Sequence, residues 1–413
     1  MKILKKISQR AIRSNEEFHP ARERLAGVLT LVAMLTAFVM ANSPFFEAYW
    51  FVHHTPVSVQ VGDFSIDKPL IAWINKGLMV FFFLLIGLEI KREMLEGQLV
   101  GLRPLALPAL AALGGMLVPA IIYLLVNGND PVLVRGWAIP MATDIVLALA
   151  ALSLFRGRIP ESLFIFLAAL AVFDDVGAIL VIALFYPETL SVSALMVAAM
   201  GVLVLFALNR LKVLATAPYV LAGIFLWTAL LNSGIHATLA GVIIALAVPL
   251  NGQRDGRSYS PAREMESRLR PWVVLGIVPV FAFFNAGIEF PELNADLLLT
   301  PLTLGIILGL FLGKQLGVFG MSWLAVRLRV GVLPEGVTWI HVYGVALLAG
   351  IGFTMSLFIT SLAFTGTDQL AAARFAIIIG SLISAAVGLC VLYRAAVVTP
   401  TQKTKKVGGD TDV

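Results

Sequence analysis

One cysteine, Cys390, stands in 413 residues. That excludes an internal disulfide and a cysteine metal cluster, and leaves Cys390 to be read as a small apolar packing residue. Charge is scarce too: 13% of residues are charged, against roughly 25% in soluble domains. With 59% hydrophobic residues and a mean hydropathy of +0.92, the chain reads as an integral membrane protein built as one compact membrane domain. The net charge of +5 is dispersed over loops, so nucleic-acid binding is not expected. No cleavable leader is evident. The first 24 residues carry both signs of charge ahead of the first apolar run, so that run is read as a retained transmembrane helix.

What the chain has is long apolar runs. Stretches near the ~20 residues that span a bilayer fall at about 25–46, 71–95, 104–126, 133–154, 160–186, 190–209, 214–230, 232–250, 272–290, 301–325, 337–362 and 372–395. The seventh and eighth are short and nearly contiguous. Basic residues test the count. With both termini inside, 25 of the 30 Lys and Arg fall on the inner side, Lys68, Arg135 and Arg374 fall outside, and Lys76 and Lys314 lie within spans. Such a bias supports about twelve spans in this orientation. Residues 1–24 and 396–413 are then cytoplasmic segments flanking a transmembrane domain at 25–395, and the longest inner loop is about 251–270. In the outer loop at about 55–67, Val57-Ser-Val-Gln-Val61 and Phe64-Ser-Ile66 alternate around Gly62-Asp63, which predicts a β-hairpin. A lone hairpin is marginal in water, so it is expected to pack on something, such as a second copy of the chain.

The same map carries an internal symmetry. Spans three to five begin inside and spans ten to twelve begin outside, as in transporters built from inverted three-helix repeats. The middle span of each unit is interrupted at a corresponding depth, by Pro140-Met-Ala-Thr-Asp144 in span four and by Gly350-Ile-Gly-Phe-Thr-Met-Ser356 in span eleven. Paired broken helices point to a central binding site.

Charged residues fall at that depth. At 1.5 Å per residue, Asp174 and Asp175 lie ~21 Å along a ~40 Å span, Asp144 ~17 Å along its own, and Lys314 ~20 Å along span ten. An ionised acid at the bilayer centre costs at least ~2.5–3.5 kcal/mol, and two leucines would pack better. Carboxylates, the Thr143 hydroxyl and freed carbonyls are the hard oxygen ligands an alkali cation takes. Successive helical residues point ~100° apart, so one aspartate is expected to face the ion and the other a neighbouring helix, with Lys314 as counter-charge. A cation arriving at oxygens that hold protons displaces them, and this competition is enough to couple two fluxes. The acids outnumber the one buried base, so plain interhelical ion pairing would leave charge unmatched. At the inner end of span two, Glu89, Arg92, Glu93 and Glu96 have the spacing of helix-end salt bridges or of an ion-entry funnel. His236 reads as a packing histidine and Lys76 as a snorkelling one.

The chain resembles the NhaA family of sodium/proton antiporters over about residues 10–395. The resemblance rests on Phe82-Phe-Leu-Leu-Ile-Gly-Leu-Glu-Ile-Lys-Arg-Glu93, Trp137-Ala-Ile-Pro-Met-Ala-Thr-Asp-Ile145, Ala171-Val-Phe-Asp-Asp-Val-Gly-Ala178, Ser233-Gly-Ile-His-Ala-Thr-Leu-Ala-Gly241, Pro279-Val-Phe-Ala-Phe-Phe-Asn-Ala-Gly287, Gly313-Lys-Gln-Leu-Gly317 and Gly350-Ile-Gly-Phe-Thr-Met-Ser356, in that order. It implies an all-α polytopic inner-membrane protein that exports one Na⁺ or Li⁺ for two protons, serving pH and sodium homeostasis. It implies no enzymatic activity and no cofactor. Asp175 would be the main ion ligand and Asp174 the partner of Lys314 when the ion is absent. Thr143 and Asp144 would lie at the crossing of the broken spans, with Asp144 offsetting helix-dipole ends. Glu89, Arg92, Glu93 and Glu266 match a cytoplasmic pH-regulating cluster, and the outer hairpin matches a dimer contact. Where some relatives carry histidines near Glu266, this chain has Ser267 and Arg270, and no histidine falls in a cytoplasmic loop. A shifted pH profile is expected. Lys76 stands where some relatives carry an acid, which leaves its role open. Two rival classes fit less well: an intramembrane aspartyl protease lacks its Gly-x-Gly-Asp signature here, and a passive cation channel would show no proton coupling.

Overall fold

The computed structural model describes residues 20–62, 64–96, 102–187, 190–254, 257–289, 299–364 and 366–398. The expected tails 1–14 and 400–413 and Asp63 of the hairpin turn lie outside the described residues. In a bilayer every backbone donor must be satisfied within its own segment, which favours helices. Among the described residues nine helices are long and apolar enough to cross. They are Pro20–Ala41, Leu70–Glu96, Leu102–Asn127, Leu133–Ser153, Glu161–Phe185, Val192–Arg210, Pro261–Asn285, Pro301–Arg327 and Thr367–Val398. Trp339–Leu348 and Phe353–Ala363, bent by 43° across their break, form a tenth span. These are spans one to six and nine to twelve of the expected order. Spans seven and eight are present as the shorter apolar helix Thr216–Leu231 and the nine-residue helix Leu239–Ala247. Between them Asn232-Ser233-Gly234 turns the chain, with Gly234 at φ +82°, a left-handed conformation that suits glycine.

Several expected boundaries move. Span one begins at Pro20, so the N-terminal segment is shorter than 1–24. It ends at Ala41: residues 42–45 turn the chain, and a separate helix on the expected outer side, Phe46–His54, begins where the expected run ends. The expected inner loop 251–270 is largely structured: a small hairpin pairs Gly252–Arg254 with Arg257–Tyr259, and span nine already starts at Pro261. Ser260 Oγ caps that start by accepting from Arg263 N at 3.3 Å, Pro261 occupies the first turn, and Glu264–Arg268 pairs at 2.5 Å one turn apart. The outer hairpin pairs Pro56–Val61 with Phe64–Pro69, longer than the expected strands, and Trp73 Nε1 donates to Val57 O at 3.0 Å to fasten it to span two. Cys390 is exposed on span twelve rather than packed.

Three features aim the centre of the molecule. First, spans three and ten cross backbone to backbone: a Cβ on Gly317 would lie 2.1 Å from Gly114 O, the close approach that small residues allow between membrane helices. Second, π-turns at Gly309–Gly313 and Gln315–Phe319 flank Lys314; such widened turns often mark functional positions. Third, both middle spans break. Span four runs as a 3₁₀ helix over Leu133–Met141, passes through extended residues 142–144, and resumes at Ile145–Ser153. Pro140 lies at the end of the 3₁₀ segment rather than in the break itself. Gly350 and Gly352 both lie in the break of span eleven, between Leu348 and Phe353.

Candidate functional site

The two breaks meet. Asp144 N donates to Ile351 O at 2.6 Å, Thr143 Oγ1 to Ala349 O at 2.9 Å, and Ser356 Oγ to Ile139 O at 2.7 Å. Glycine is required in the break: a Cβ on Gly350 would lie 2.4 Å from Leu310 O, and one on Gly352 would lie 2.3 Å from Ser356 Oγ.

A broken helix exposes backbone donors at its new N-terminus and acceptors at its new C-terminus. Asp144, 1% exposed, serves two new N-termini at once. Its Oδ1 accepts from Leu147 N at 3.0 Å, capping its own half-helix. Its Oδ2 accepts from Thr354 N at 3.0 Å and Thr354 Oγ1 at 2.5 Å, at the start of the other. A carboxylate at two positive helix ends is favourably placed. Lys314 takes the complementary position. Its Nζ donates to Met141 O, at the end of the 3₁₀ segment, to Thr143 Oγ1 at 3.0 Å and to Asp174 Oδ2 at 2.8 Å. Neither Lys314 nor Asp174 exposes any side-chain surface.

Asp175 stands apart from this network. It is 2% exposed, and Asp175 Oδ1 and Asp174 Oδ1 are buried with no hydrogen-bond donor. Asp175 follows Asp174 directly on the same helix, Glu161–Phe185. The centre therefore gathers Asp174, Asp175, Thr143, Asp144 and Lys314, and two of its carboxylate oxygens could take a cation or a proton.

The second group lies where spans two and nine meet. Arg270 Nη2 reaches Glu89 Oε1 at 2.7 Å and Glu266 Oε1 at 3.3 Å. Arg92 pairs with Glu266 at 3.1 Å and with Glu93 at 3.2 Å. Glu89, Arg92, Glu93 and Glu266 thus form one network, and Arg270 is its hub. Sequence reasoning noted Arg270 only as a replacement; its i,i+4 spacing from Glu266 was the available signal. Arg263 pairs with Glu96 beside it. Lys91 Nζ donates to Leu246 O and Val248 O, both at 2.6 Å, and so caps the end of the nine-residue helix of span eight.

Four other residues have places that composition could not give. Ser381 caps the span-eleven break from span twelve, Thr354 donates to Asp144 from the half-helix itself, and no pattern of charge or period marks either. His236 is buried and packs edge-on against Phe358 at 5.5 Å. Lys76 sits half-buried in a π-turn of span two, away from the crossing.

The family profile described as Na+/H+ antiporter 1 matches residues 18–392. The Na(+)/H(+) antiporter NhaA of Maricaulis maris is 52% identical over 377 residues, covering 91% of this chain and 93% of that protein. The Na(+)/H(+) antiporter NhaA of Bordetella parapertussis is 51% identical over 373 residues, with 90% and 94% covered. The Na(+)/H(+) antiporter NhaA 2 of Saccharophagus degradans is 49% identical over 373 residues, with 90% and 97% covered. This multi-pass membrane protein, with its two broken helices crossing beside a buried Lys–Asp pair, belongs to the Na+/H+ antiporter 1 family.

Proposed function

We propose that the chain exports Na⁺ in exchange for protons, with the two fluxes coupled by competition at Asp174 and Asp175. One observation carries the reading: next to the crossed breaks, Asp174 is bound on one oxygen by Lys314, while its other oxygen and Asp175 Oδ1 are buried without a donor. An ion at Asp175 draws on the free oxygens, with Thr143 and the freed carbonyls nearby as further hard ligands. Asp174 then exchanges Lys314 for the ion. When the ion leaves, protons return to the pair and Lys314 to Asp174. Two acids sharing these steps accommodate two protons per Na⁺, an electrogenic exchange, and Li⁺ has the same ligand preference. Asp144 offsets the half-helix dipoles and takes no part in the proton count.

The other roles follow from position. Glu89, Arg92, Glu93 and Glu266, with Arg270, regulate entry from the cytoplasmic side according to pH. The basic-residue bias supports the inner membrane with both termini cytoplasmic, around one transporter domain over about 25–395. The outer hairpin supports a homodimer. The protein works as a transporter rather than an enzyme, without a cofactor.

Everted membrane vesicles holding an imposed pH gradient test the reading. Addition of Na⁺ or Li⁺ should collapse the gradient. Silence at every pH from about 6.5, the ordinary histidine value, up to about 9 would refute exchange. Asp175→Asn should abolish exchange while the protein still accumulates; substantial residual exchange would remove Asp175 from its assigned role.

A further inference from the structure

The second half of span eleven starts on a residue that cannot cap it. A helix N-cap ordinarily supplies a side-chain oxygen to the first free N–H groups. Here the cap is Gly352, at φ −89° and ψ −25°. No larger residue fits, because a Cβ there would lie 2.3 Å from Ser356 Oγ, 2.7 Å from Leu310 Cδ2 and 3.1 Å from Ala142 O. The close crossing with span four therefore removes the helix's own cap. Three consecutive N–H groups, of Gly352, Phe353 and Thr354, depend on other helices at a depth where no bulk water serves.

Two helices answer. Span four gives Asp144 Oδ2 to Thr354 N. Span twelve gives Ser381 Oγ, which accepts from Gly352 N at 3.2 Å and from Phe353 N at 3.3 Å. Ser381 is 6% exposed. Its neighbour Gly380 brings the backbone of span twelve against span ten, since a Cβ on Gly380 would meet Leu310 Cδ1 at 3.1 Å and Ile307 Cα at 3.4 Å. Leu310 is one turn before Lys314. One turn after Ser381, fully buried Ser384 lies beside the break, where a Cβ on Gly350 would come 2.5 Å from its Oγ. Span twelve thus presents hydroxyls, and no charge, to the break in span eleven.

We propose that Ser381 is a positioning residue for cation binding, standing in for the cap that Gly352 lacks. Its neutral oxygen holds two donors, so Asp144 keeps its carboxylate divided between Leu147 N and Thr354. The position of the half-helix passes on through Ile351 O, which holds Asp144 N, and Ala349 O, which holds Thr143 Oγ1. Thr143 in turn binds Lys314 Nζ. Loss of the Ser381 hydroxyl leaves two buried donors that compete for Asp144 and shift the oxygens around the aspartate pair. The inference rests on the Na⁺/H⁺ reading above.

The test compares wild type, Ser381→Ala, Ser381→Thr and Ser381→Cys in everted vesicles at one pH, with exchange normalised to protein amount and Na⁺ varied. Losing one net hydrogen bond corresponds to about a fivefold change in an equilibrium. Ser381→Ala should raise the Na⁺ concentration for half-maximal exchange about fivefold while maximal exchange stays within about twofold. Ser381→Thr, which keeps the oxygen, should restore the wild-type value. Ser381→Cys, a weaker acceptor of similar shape, should fall between and keeps the test open if the alanine variant does not accumulate. Wild-type half-saturation in the alanine or cysteine variant overturns the proposal. So does an equal fall in maximal exchange for all three variants with half-saturation unchanged, which marks a packing role alone. No exchange by wild type overturns the functional reading itself, and the Ser381 role falls with it.

Discussion

Replacing Lys314 by methionine keeps an unbranched apolar side chain, one atom shorter, and removes its charge and donors. The structure sets the scale of the effect. Lys314 Nζ lies 2.8 Å from Asp174 Oδ2, with no side-chain surface exposed on either residue. At an effective dielectric constant of ~20, two unit charges at that separation attract by roughly 6 kcal/mol. Desolvation offsets most of this, so the pair itself is a weak stabiliser, whereas its one-sided removal strands a buried carboxylate at a cost of about 3–5 kcal/mol. Asp174 has no second donor to fall back on, because its Oδ1 has none already. Lys314→Met should therefore lower the apparent melting temperature of the purified protein in detergent clearly. Lys314→Met combined with Asp174→Asn, which removes both charges, should recover most of the loss, since neutral replacement of a buried pair is often close to neutral in stability. The double-mutant cycle should return a coupling of about 3 kcal/mol, at the upper end of what contacting residues show. A single variant as stable as wild type, or a double variant no better than the single, would mean that Lys314 does not hold Asp174 in the resting protein.

Two other perturbations follow from the packing. His53, on the outer helix, is buried with Nδ1 2.8 Å from Tyr49 O and Nε2 2.8 Å from Phe284 O. Burial outweighs those two carbonyls, and with Arg374 and His54 nearby it holds the imidazole below its ordinary value. The unfolded chain therefore takes up this proton first, so the stability His53 contributes is complete above ~6.5 and is lost as pH falls from there through the lower folded value. Melting temperatures measured from about pH 8 to about pH 5 should fall more steeply for wild type than for His53→Gln; parallel curves would refute the assignment. Gly317→Ala inserts a methyl 2.1 Å from Gly114 O and should cost about 1–3 kcal/mol by overpacking, with loss of exchange, because Lys314 lies one turn away on the displaced span. Gly320→Ala, where nothing lies within 4 Å of the added carbon, is the control; equal stability of the two variants would show that the crossing is looser than its geometry indicates.

What was legible in the chain was whatever the bilayer makes conspicuous. Asp174, Asp175, Asp144 and Lys314 stand out because charge is costly among apolar residues, and the broken spans stand out because proline or glycine punctuates them at matching depth. The start of span nine was not legible, because its first turns carry charge and a charged stretch between apolar runs looks like a loop. Ser260 before Pro261 was the local signal of a helix there. Span eight is shorter than its expected 232–250 because residues 232–238 turn the chain and the helix forms only over Leu239–Ala247. Ser381 and Thr354 were not legible at all. A hydroxyl in a membrane helix is ordinary, and its partners are remote in sequence: 29 residues from Ser381 to Gly352, 210 from Thr354 to Asp144.

The electrostatics of the crossing explain why such neutral partners matter. Three carboxylates and one ammonium are gathered there, and the backbone supplies further partial charge where the helices break. Two half-helix N-termini face Asp144 and offset it. Lys314 lies against the carbonyl end of the 3₁₀ segment and offsets Asp174. Asp175 has no hydrogen-bond donor on its Oδ1, and on the exchange reading proposed above the positive charge that offsets it comes from outside the protein. A proton and an alkali cation both provide it. A protein that had balanced all three acids internally would bind neither, and one that had left Asp144 unbalanced as well would hold its cation too firmly to release it. On this reading the trans cap from Ser381 and the two donors of Thr354 keep Asp144 committed to the half-helix ends, so that the imbalance stays confined to the aspartate pair.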